Sequence, residues 1–415
     1  MVAAQSSDGG GWRGRSRRRS RPAACASPAT SRDRSEHMPR VGVIGGGQLA
    51  RMMVPEALEL GIDLHVLAES DDSPASISAT AVGDYRDEAM VLAFARTVDV
   101  VTFDHEHVPQ GVLRALEAEG IAVRPGPDAL LYAQDKILMR RRLQELGLPV
   151  PDWATVANAD ELAAFLADHG GVGVVKTSRG GYDGKGVRVV RSAGEVDDWF
   201  AAAADGDGPE LLVEELVNFR RELAQLVARR PSGDIAAWPV VETVQKDGVC
   251  AEVIAPARGA SGRIAEVAER IAVAVAEGLG VTGVLAVELF ETDDDRILIN
   301  ELAMRPHNSG HWTQNGSVTS QFEQHVRAVL DLPLGATAPV AEWSVMVNVL
   351  GGPTDGSALV DHYPAMLAQH PAAKMHAYGK TPRPGRKLGH VNVVGDDLDE
   401  VVYAARAAAA FFTTL

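Results

Sequence analysis

Cysteine is almost absent. Two in 415 residues, Cys25 and Cys250, are too few and too far apart for a disulfide framework or a thiolate metal site. A reducing, cytoplasmic setting is the expectation. Long apolar runs are missing too: none approaches the roughly 18 residues of a membrane span, so no membrane partner is expected. No internal repeat appears. What remains is 46% hydrophobic and 23% charged residues, over a length that allows two or three domains with sizeable cores.

Positive charge is scarce and unevenly placed. The net charge is −16, yet residues 1–38 hold eight Arg against Asp8, Asp33 and Glu36, a local +5 that leaves −21 for the rest. So acidic a body argues against nucleic acid as a partner, and an anionic substrate needs a local basic pocket. Residues 1–37 are rich in Gly, Ser, Arg and Ala without hydrophobic periodicity and are expected to be disordered. Their RGRSRRRSRP run reads either as a nucleic-acid-binding or targeting arm, or as an extension upstream of a start at Met38. The second reading is preferred. The segment has no apolar core of a secretory signal.

From residue 39 the pattern turns to βαβ. Residues 40–44 make a buried strand. Gly45-Gly46-Gly47-Gln48-Leu49-Ala50 then opens a helix to about Leu60, closed by Gly61, and residues 63–68 make a second strand ending at Glu69. This spacing fits the dinucleotide fingerprint, with glycines for a tight turn and an acid for a ribose; taken alone it reads as a dehydrogenase. A later strand, 98–103, carries Asp104-His105-Glu106-His107 at its C-terminal end, where open α/β sheets bind ligands. Two His and two acids raise a metal site, but neighbours on an extended chain alternate in direction. Residues 133–146 read as one basic helix with Lys136, Arg140, Arg141 and Arg142, ended by Gly147 and Pro149; residues 158–169 read as an amphipathic helix.

Chemistry concentrates in three later stretches. In 172–187 a strand ends in Lys176, a loop holds Gly180, Gly181, Gly184 and Gly186 around Tyr182, Asp183 and Lys185, and a strand resumes at Val187. Glycine lets backbone N–H groups close over phosphates. This is no Walker A loop, which continues into a helix; an ordinary glycine hairpin is the plain alternative. The strand 211–217 and Glu222 beyond it could offer backbone groups to an adenine edge and a carboxylate to a ribose. A helix over 261–280, with Ser261 as N-cap, reads as structural.

The second stretch, 284–313, is two apolar strands, 284–290 and 296–301, around an acidic turn at 292–295. Glu288 and Glu301 inside such strands are costly unless something charged faces them. Pairing 291 with 296 sets Glu288 opposite Ile299, with Glu301 two residues further along the same face. Such a pair holds Mg²⁺ against phosphates, and a one-residue slip separates it. A hairpin with a buried ion pair is the alternative. Arg305-Pro306-His307-Asn308-Ser309-Gly310-His311 follows, dense in groups that bind anions or move protons. A helix over 321–330 and a strand over 344–350 come next. The third stretch, 376–390, is a Pro- and Gly-rich loop with Lys380, Arg383, Arg386 and Lys387, either solvated or a phosphate grip.

Together GGGQLARM (45–52), QDK (134–136), GYDGKG (181–186), NELAMRPHNSGHWT (300–313), FEQH (322–325) and YGKTPRPGRKLGH (378–390) resemble the ATP-grasp superfamily, and within it the 5-(carboxyamino)imidazole ribonucleotide synthases. The resemblance implies an α/β and α+β fold: a Rossmann-like domain over 38–133, a two-lobed ATP-grasp domain over 134–335 and a small β-rich domain over 336–415. It implies ATP, Mg²⁺, bicarbonate and 5-aminoimidazole ribonucleotide as ligands, and a homodimer. Carried onto this sequence, Lys136 and Lys176 would touch ATP phosphates under the loop glycines Gly181, Gly184 and Gly186. Glu214, Glu215 and the backbone near Val217 would hold adenine, Glu222 the ribose, and Asn300 would lie beside them. Glu288 and Glu301 would bind Mg²⁺. Tyr182, Asp183, Lys185, Arg305, His307 and Asn308 would surround bicarbonate and the nucleotide's ring. Gln48 and Glu106 would line the nucleotide pocket, with Lys380, Arg386 and Lys387 on its 5′-phosphate.

Five positions depart from that pattern: Ala50 for Gly, Asp104 for Glu, Arg140 for Lys, Val187 for Gln and Met304 for Pro. None removes a charge needed for phosphate or metal. The activity implied is ATP-dependent carboxylation through carboxyphosphate, with the glycine loop excluding water. A formate-dependent glycinamide ribonucleotide transformylase is the sibling alternative. A dehydrogenase explains residues 41–69 alone.

Overall fold

The first sheet grows from short, mostly apolar runs. In the computed structural model, which describes residues 38–180, 186–205, 208–246, 248–260 and 262–413, β1 (Arg40–Ile44), β2 (Asp63–Ala68), β3 (Ala79–Val82) and β4 (Val100–Phe103) lie in the order β3-β2-β1-β4. β1 is parallel to both neighbours, and Val41, Val43 and Ile44 are fully buried, as a sheet covered on both faces requires. The helix Gln48–Glu59 starts at once from the glycine turn. Its amides are met from within: Glu69 Oε2 accepts from Gly46 N–H at 2.9 Å, and Asp104 Oδ1 from Ala50 N–H at 2.7 Å. A Cβ on Gly47 would collide with the Asp104 carboxylate. Glu69 therefore closes the turn rather than reaching for a ribose. The dinucleotide expectation is corrected, because amides that a pyrophosphate would use already have carboxylate partners.

The second sheet is antiparallel. It comprises β5 (Trp153–Val156), β6 (Gly173–Thr177), β7 (Val187–Val190) and β8 (Leu211–Glu215), in the order β5-β8-β6-β7. Val156, Val175, Val190, Leu211 and Val213 pack on Leu162 and Leu166 of the helix Ala159–Asp168. Asn158 caps that helix by accepting from Glu161 N–H. Gly181, Tyr182, Asp183, Gly184 and Lys185 between β6 and β7 lie outside the described residues, as does Ser261; the helix behind it runs Arg263–Gly278. Where one basic helix was expected there are two, Pro127–Gln134 and Lys136–Glu145. Asp135 divides them. Its backbone is extended and its carboxylate accepts from the Ile137 and Leu138 amides, so it starts a new helix.

The third sheet has nine strands. β9 (Phe219–Arg229), β10 (Ile235–Ala237), β11 (Val241–Lys246), β12 (Val249–Ala255), β13 (Gly283–Thr292), β14 (Ile297–Ala303), β15 (Trp343–Leu350), β16 (Lys374–Ala377) and β17 (Lys387–Gly395) form it. The order is β14-β13-β9-β11-β12-β15-β17-β16, with β10 on β9. The strands of the tail thus extend the central sheet edge to edge. On its back face Leu223, Val227, Leu285, Val287 and Leu289 meet Ala268, Ile271, Ala272 and Val275 of the helix Arg263–Gly278. The helix Leu398–Ala410 covers the tail end.

The helix Gln321–Val329 ties the first sheet to the third. Phe322, Val326 and Val329 join the core of Val41 and Val43. His325 Nδ1 accepts from Val284 N–H at 3.0 Å, which leaves Nε2–H to donate to Thr102 Oγ1 at 2.7 Å. Burial pushes His325 down to about 3. The folded state therefore refuses a proton that the unfolded chain takes up near pH 6.5. The stabilisation is full above about pH 6.5 and is lost as pH falls toward 3. His325→Gln keeps both hydrogen bonds and cannot titrate, so between pH 6.5 and 5 it should lose less stability than wild type. The difference should approach about 1.4 kcal/mol per pH unit. Urea midpoints that fall in parallel would contradict this.

Candidate active site

β13 and β14 meet in a register that departs from the expected one twice. Thr292 N–H donates to Arg296 O at 3.0 Å, Asp295 N–H to Thr292 O at 3.1 Å, and Asp295 sits at φ 60°. A turn that ends in a left-handed residue makes Glu291 pair with Ile297, not Arg296. Continued regularly, this slip would set Glu288 opposite Asn300 and send Glu301 to the other face. A β-bulge adds a second step in the same direction, which restores the face. Leu289 pairs with Ile299, but Glu288 pairs with Glu301 rather than Ile299, leaving Asn300 as the extra residue. The two carboxylates are directly opposed on one face.

Opposed carboxylates repel. Burial, then Glu301 and Glu222, push Glu288 up to about 8; burial raises Glu222 to about 7. Lys136 Nζ stands 3.5 Å from Glu301 Oε1 and His307 Nε2 3.3 Å from Glu288 Oε1. Burial, then Arg305 and Lys387, hold His307 down to about 3, so its ring is neutral. Its Nδ1 accepts from Ser309 N–H, which assigns the proton to Nε2, facing Glu288. No cluster of three or more His, Cys, Asp or Glu suited to a metal occurs among the described residues. A proton-hungry carboxylate pair does fit Mg²⁺, which takes one or two protein carboxylates and fills its shell with water and phosphate.

Beside this wall, Arg140 and Lys176 converge on Glu214 at the end of β8. Lys176 Nζ donates to Oε2 at 2.6 Å and Arg140 Nε to Oε1 at 2.7 Å. Burial acts to raise the Glu214 carboxyl, but the two cations outweigh it and hold it at about 2. Glu214 is 3% exposed, so its side chain serves these cations and not an open adenine slot. Lys176 Nζ also lies 3.5 Å from Asn300 Oδ1. Glu215 Oε1 accepts from Asp152 N–H at 3.1 Å. Val217 is half-buried just beyond the strand. Gly186 leads into β7. Phe219 and Phe290 stack at 4.7 Å, an aromatic shelf on the Glu222 side that sequence reading missed.

The Asp104–His107 run disperses as alternation requires. Asp104 caps the helix Gln48–Glu59, His105 Nε2 meets Glu69 Oε1 at 3.3 Å, and Glu106 Oε2 accepts from Arg305 Nε at 2.8 Å. His107 lines a cleft of about 290 Å³ with Glu106, Gln134, Lys136, Arg179 and Glu301. Glu106 is 3% exposed, and its Oε1 has no hydrogen-bond partner among the described residues. Lys380 donates to Gln48 Oε1 and rides over the Tyr378 ring at 5.8 Å. Burial lowers its pKa, Asp104 acts to raise it, and Arg386, Lys387 and Arg383 lower it further. Arg386 Nη1 donates to Thr381 O at 3.2 Å, and Asn308 Oδ1 accepts from Asn348 Nδ2 at 3.1 Å.

Three supporting residues were missed. Gln321 Oε1 accepts from His307 N–H and its Nε2 donates to His307 O, both at 2.8 Å. Arg51 donates to Ala377 O at 3.2 Å and Pro74 O at 2.8 Å, bracing the basic loop. Arg140 carried a readable signal: it stands four residues after Lys136, on the same helix face, unlike Arg141 and Arg142. Nothing in the sequence marked Gln321.

Comparison with known proteins places this geometry. Residues 38–134 match a ribonucleotide synthetase preATP-grasp domain, 141–322 an ATP-grasp domain and 344–403 a phosphoribosylaminoimidazole carboxylase C-terminal domain. The N5-carboxyaminoimidazole ribonucleotide synthase of Mycobacterium bovis is 50% identical over 391 residues, covering 93% of this chain and 90% of that one. The Corynebacterium ammoniagenes enzyme of the same name is 48% identical over 380 residues, covering 90% and 92%. A crystal structure of N5-carboxyaminoimidazole synthase from Aspergillus clavatus in complex with ADP and 5-aminoimidazole ribonucleotide superposes with a TM-score of 0.80 at 32% identity, covering 89% of this chain and 98% of that one.

The raised Glu288 carries a stability consequence. Its folded pKa exceeds its unfolded one, so its contribution is intact below about pH 4.5 and is lost as pH rises through 8. Without divalent cation, Glu288→Gln should melt at least about 2 °C above wild type at pH 9 and level with it at pH 4.5. A wild type that melts higher at pH 9 in chelator would contradict the crowding of acids.

Proposed function

This chain belongs to the N5-carboxyaminoimidazole ribonucleotide synthase family of ATP-grasp ligases, and from there we propose that it carboxylates 5-aminoimidazole ribonucleotide with bicarbonate at the expense of ATP, in purine biosynthesis. One observation carries the reading. Arg305 binds Glu106, and the cleft that Glu106 lines also holds Lys136 and Glu301. Phosphate chemistry and nucleotide recognition thus meet in one space.

A bicarbonate oxygen attacks the γ-phosphorus of ATP and ADP leaves. The substrate's exocyclic amine then attacks the carbonyl carbon of carboxyphosphate, phosphate leaves, and the amine gives up a proton. Lys136 and Lys176 hold phosphate oxygens as preorganised charges, with Glu214 fixing Lys176. Glu288 and Glu301 hold Mg²⁺, which supplies neutralisation of phosphate charge when bound. Phe219, Phe290, Val217, Glu215 and Glu222 serve the nucleoside of ATP, with Asn300 alongside. Glu106 Oε1, buried without a partner among the described residues, accepts a hydrogen bond from the nucleotide substrate, whose 5′-phosphate falls to Lys380, Arg386 and Lys387 beside Gln48. Arg305, His307 and Asn308 line the path between the two halves, and a part in the same chemistry for Tyr182, Asp183 and Lys185 belongs to this proposal. The divisions 38–133, 134–335 and 336–415 and a homodimeric assembly belong to the same proposal.

ADP release should require both bicarbonate and 5-aminoimidazole ribonucleotide; release indifferent to either would sink the reading. Lys387→Ala should raise KM for the ribonucleotide about 10- to 100-fold, the loss of one charge-assisted hydrogen bond, with KM for ATP little changed. An equal rise in both constants would remove Lys387 from the phosphate grip.

A further inference from the structure

The extra residue of a β-bulge has no ladder partner for its backbone, and a buried carbonyl without one is costly. Asn300 is that residue, and its carbonyl accepts from Arg140 Nη2 at 2.6 Å, a short charge-assisted bond. The same guanidinium binds Glu214 through Nε at 2.7 Å. Arg140 has no exposed surface, and its Nη1 has no partner among the described residues. A planar fork carries its donors on separate nitrogens at fixed directions, whereas an ammonium gathers them on one atom. One side chain of the helix Lys136–Glu145 therefore joins the end of β8 to the bulge in β14.

We propose that Arg140 is a positioning residue for the cation site: by pinning the Asn300 carbonyl it fixes the bulge that sets Glu301 opposite Glu288. It touches neither carboxylate. Without the Arg140 bond, the hairpin relaxes toward its regular register, in which Asn300 faces Glu288 and Glu301 turns away. The inference rests on the reading that Glu288 and Glu301 hold the divalent cation.

The test is Mn²⁺ titration, followed by electron paramagnetic resonance with ADP present, on wild type and three full-length variants. Glu301→Gln tests the underlying reading: unchanged Mn²⁺ binding there removes the cation site itself, whatever Arg140 does. Given that loss, Arg140→Gln should bind Mn²⁺ about 10- to 100-fold more weakly, the usual effect of removing a group that orients a ligand. KM for 5-aminoimidazole ribonucleotide should stay within about twofold. A merely structural role would lower the melting temperature and leave Mn²⁺ affinity as in wild type, and that result overturns the proposal. Should Arg140→Gln fail to fold, Arg140→Lys decides. It keeps the charge beside Glu214 but has one donor nitrogen in place of the separate Nε and Nη2, so weaker Mn²⁺ binding supports the role and unchanged binding overturns it.

Discussion

Everything in the site depends on one surplus residue. Asn300 bulges out of β14, and through it Glu288 and Glu301 come to face each other across an antiparallel pair. A hairpin without the bulge would still fold and would bury the same apolar side chains. It would hold one acid on each face and could not gather a cation against a triphosphate. The two shifts add: the left-handed Asp295 moves the register by one, and the bulge moves it by one more in the same direction, so that two steps restore the face.

The surrounding charges set Glu288 apart, while its partner Glu301 keeps Lys136 at 3.5 Å. Buried acids elsewhere in the sheets have cations to hand. Glu291 has Arg220 and Arg221, Glu252 has Arg406, Glu242 has Arg258, and Glu214 has Arg140 and Lys176. Such pairing is what makes a buried carboxylate tolerable. Glu288 instead faces other acids and a neutral imidazole, and burial with those acids raises its proton affinity. A strained electrostatic position inside an otherwise compensated structure marks a place where stability yields to function. Glu106 makes the same point with a hydrogen bond: one oxygen is paired with Arg305, and the other has no partner among the described residues.

How much was legible in the sequence follows from what each feature depends on. Apolar runs and caps are local, so β1, β2 and the helix opening at Asn158 fall where period and capping put them. The acids, the basic loop and the His307 segment stood out because polar groups interrupt apolar patterns. Register was not legible, because it turns on the backbone of Asp295 and Asn300 and on a guanidinium reaching from a distant helix. The break at Asp135 was missed because helical periodicity outweighed a capping signal. The glycine fingerprint misled for a physical reason: its amides bind carboxylates as readily as pyrophosphate, and Glu69 and Asp104 supply them.

The tail shows what topology adds to motif. Lys380 and Gln48 are 332 residues apart, yet the lysine donates to the glutamine. That contact exists because β15 extends the central sheet from β12 and carries the basic loop back to the first helix. The central claim, that Glu288 and Glu301 share one cation, is tested most directly by anomalous diffraction from crystals grown with Mn²⁺ and ADP. The expected result is a single strong peak within coordination distance of both carboxylates. A peak bound to one of them alone, or placed elsewhere, would contradict it.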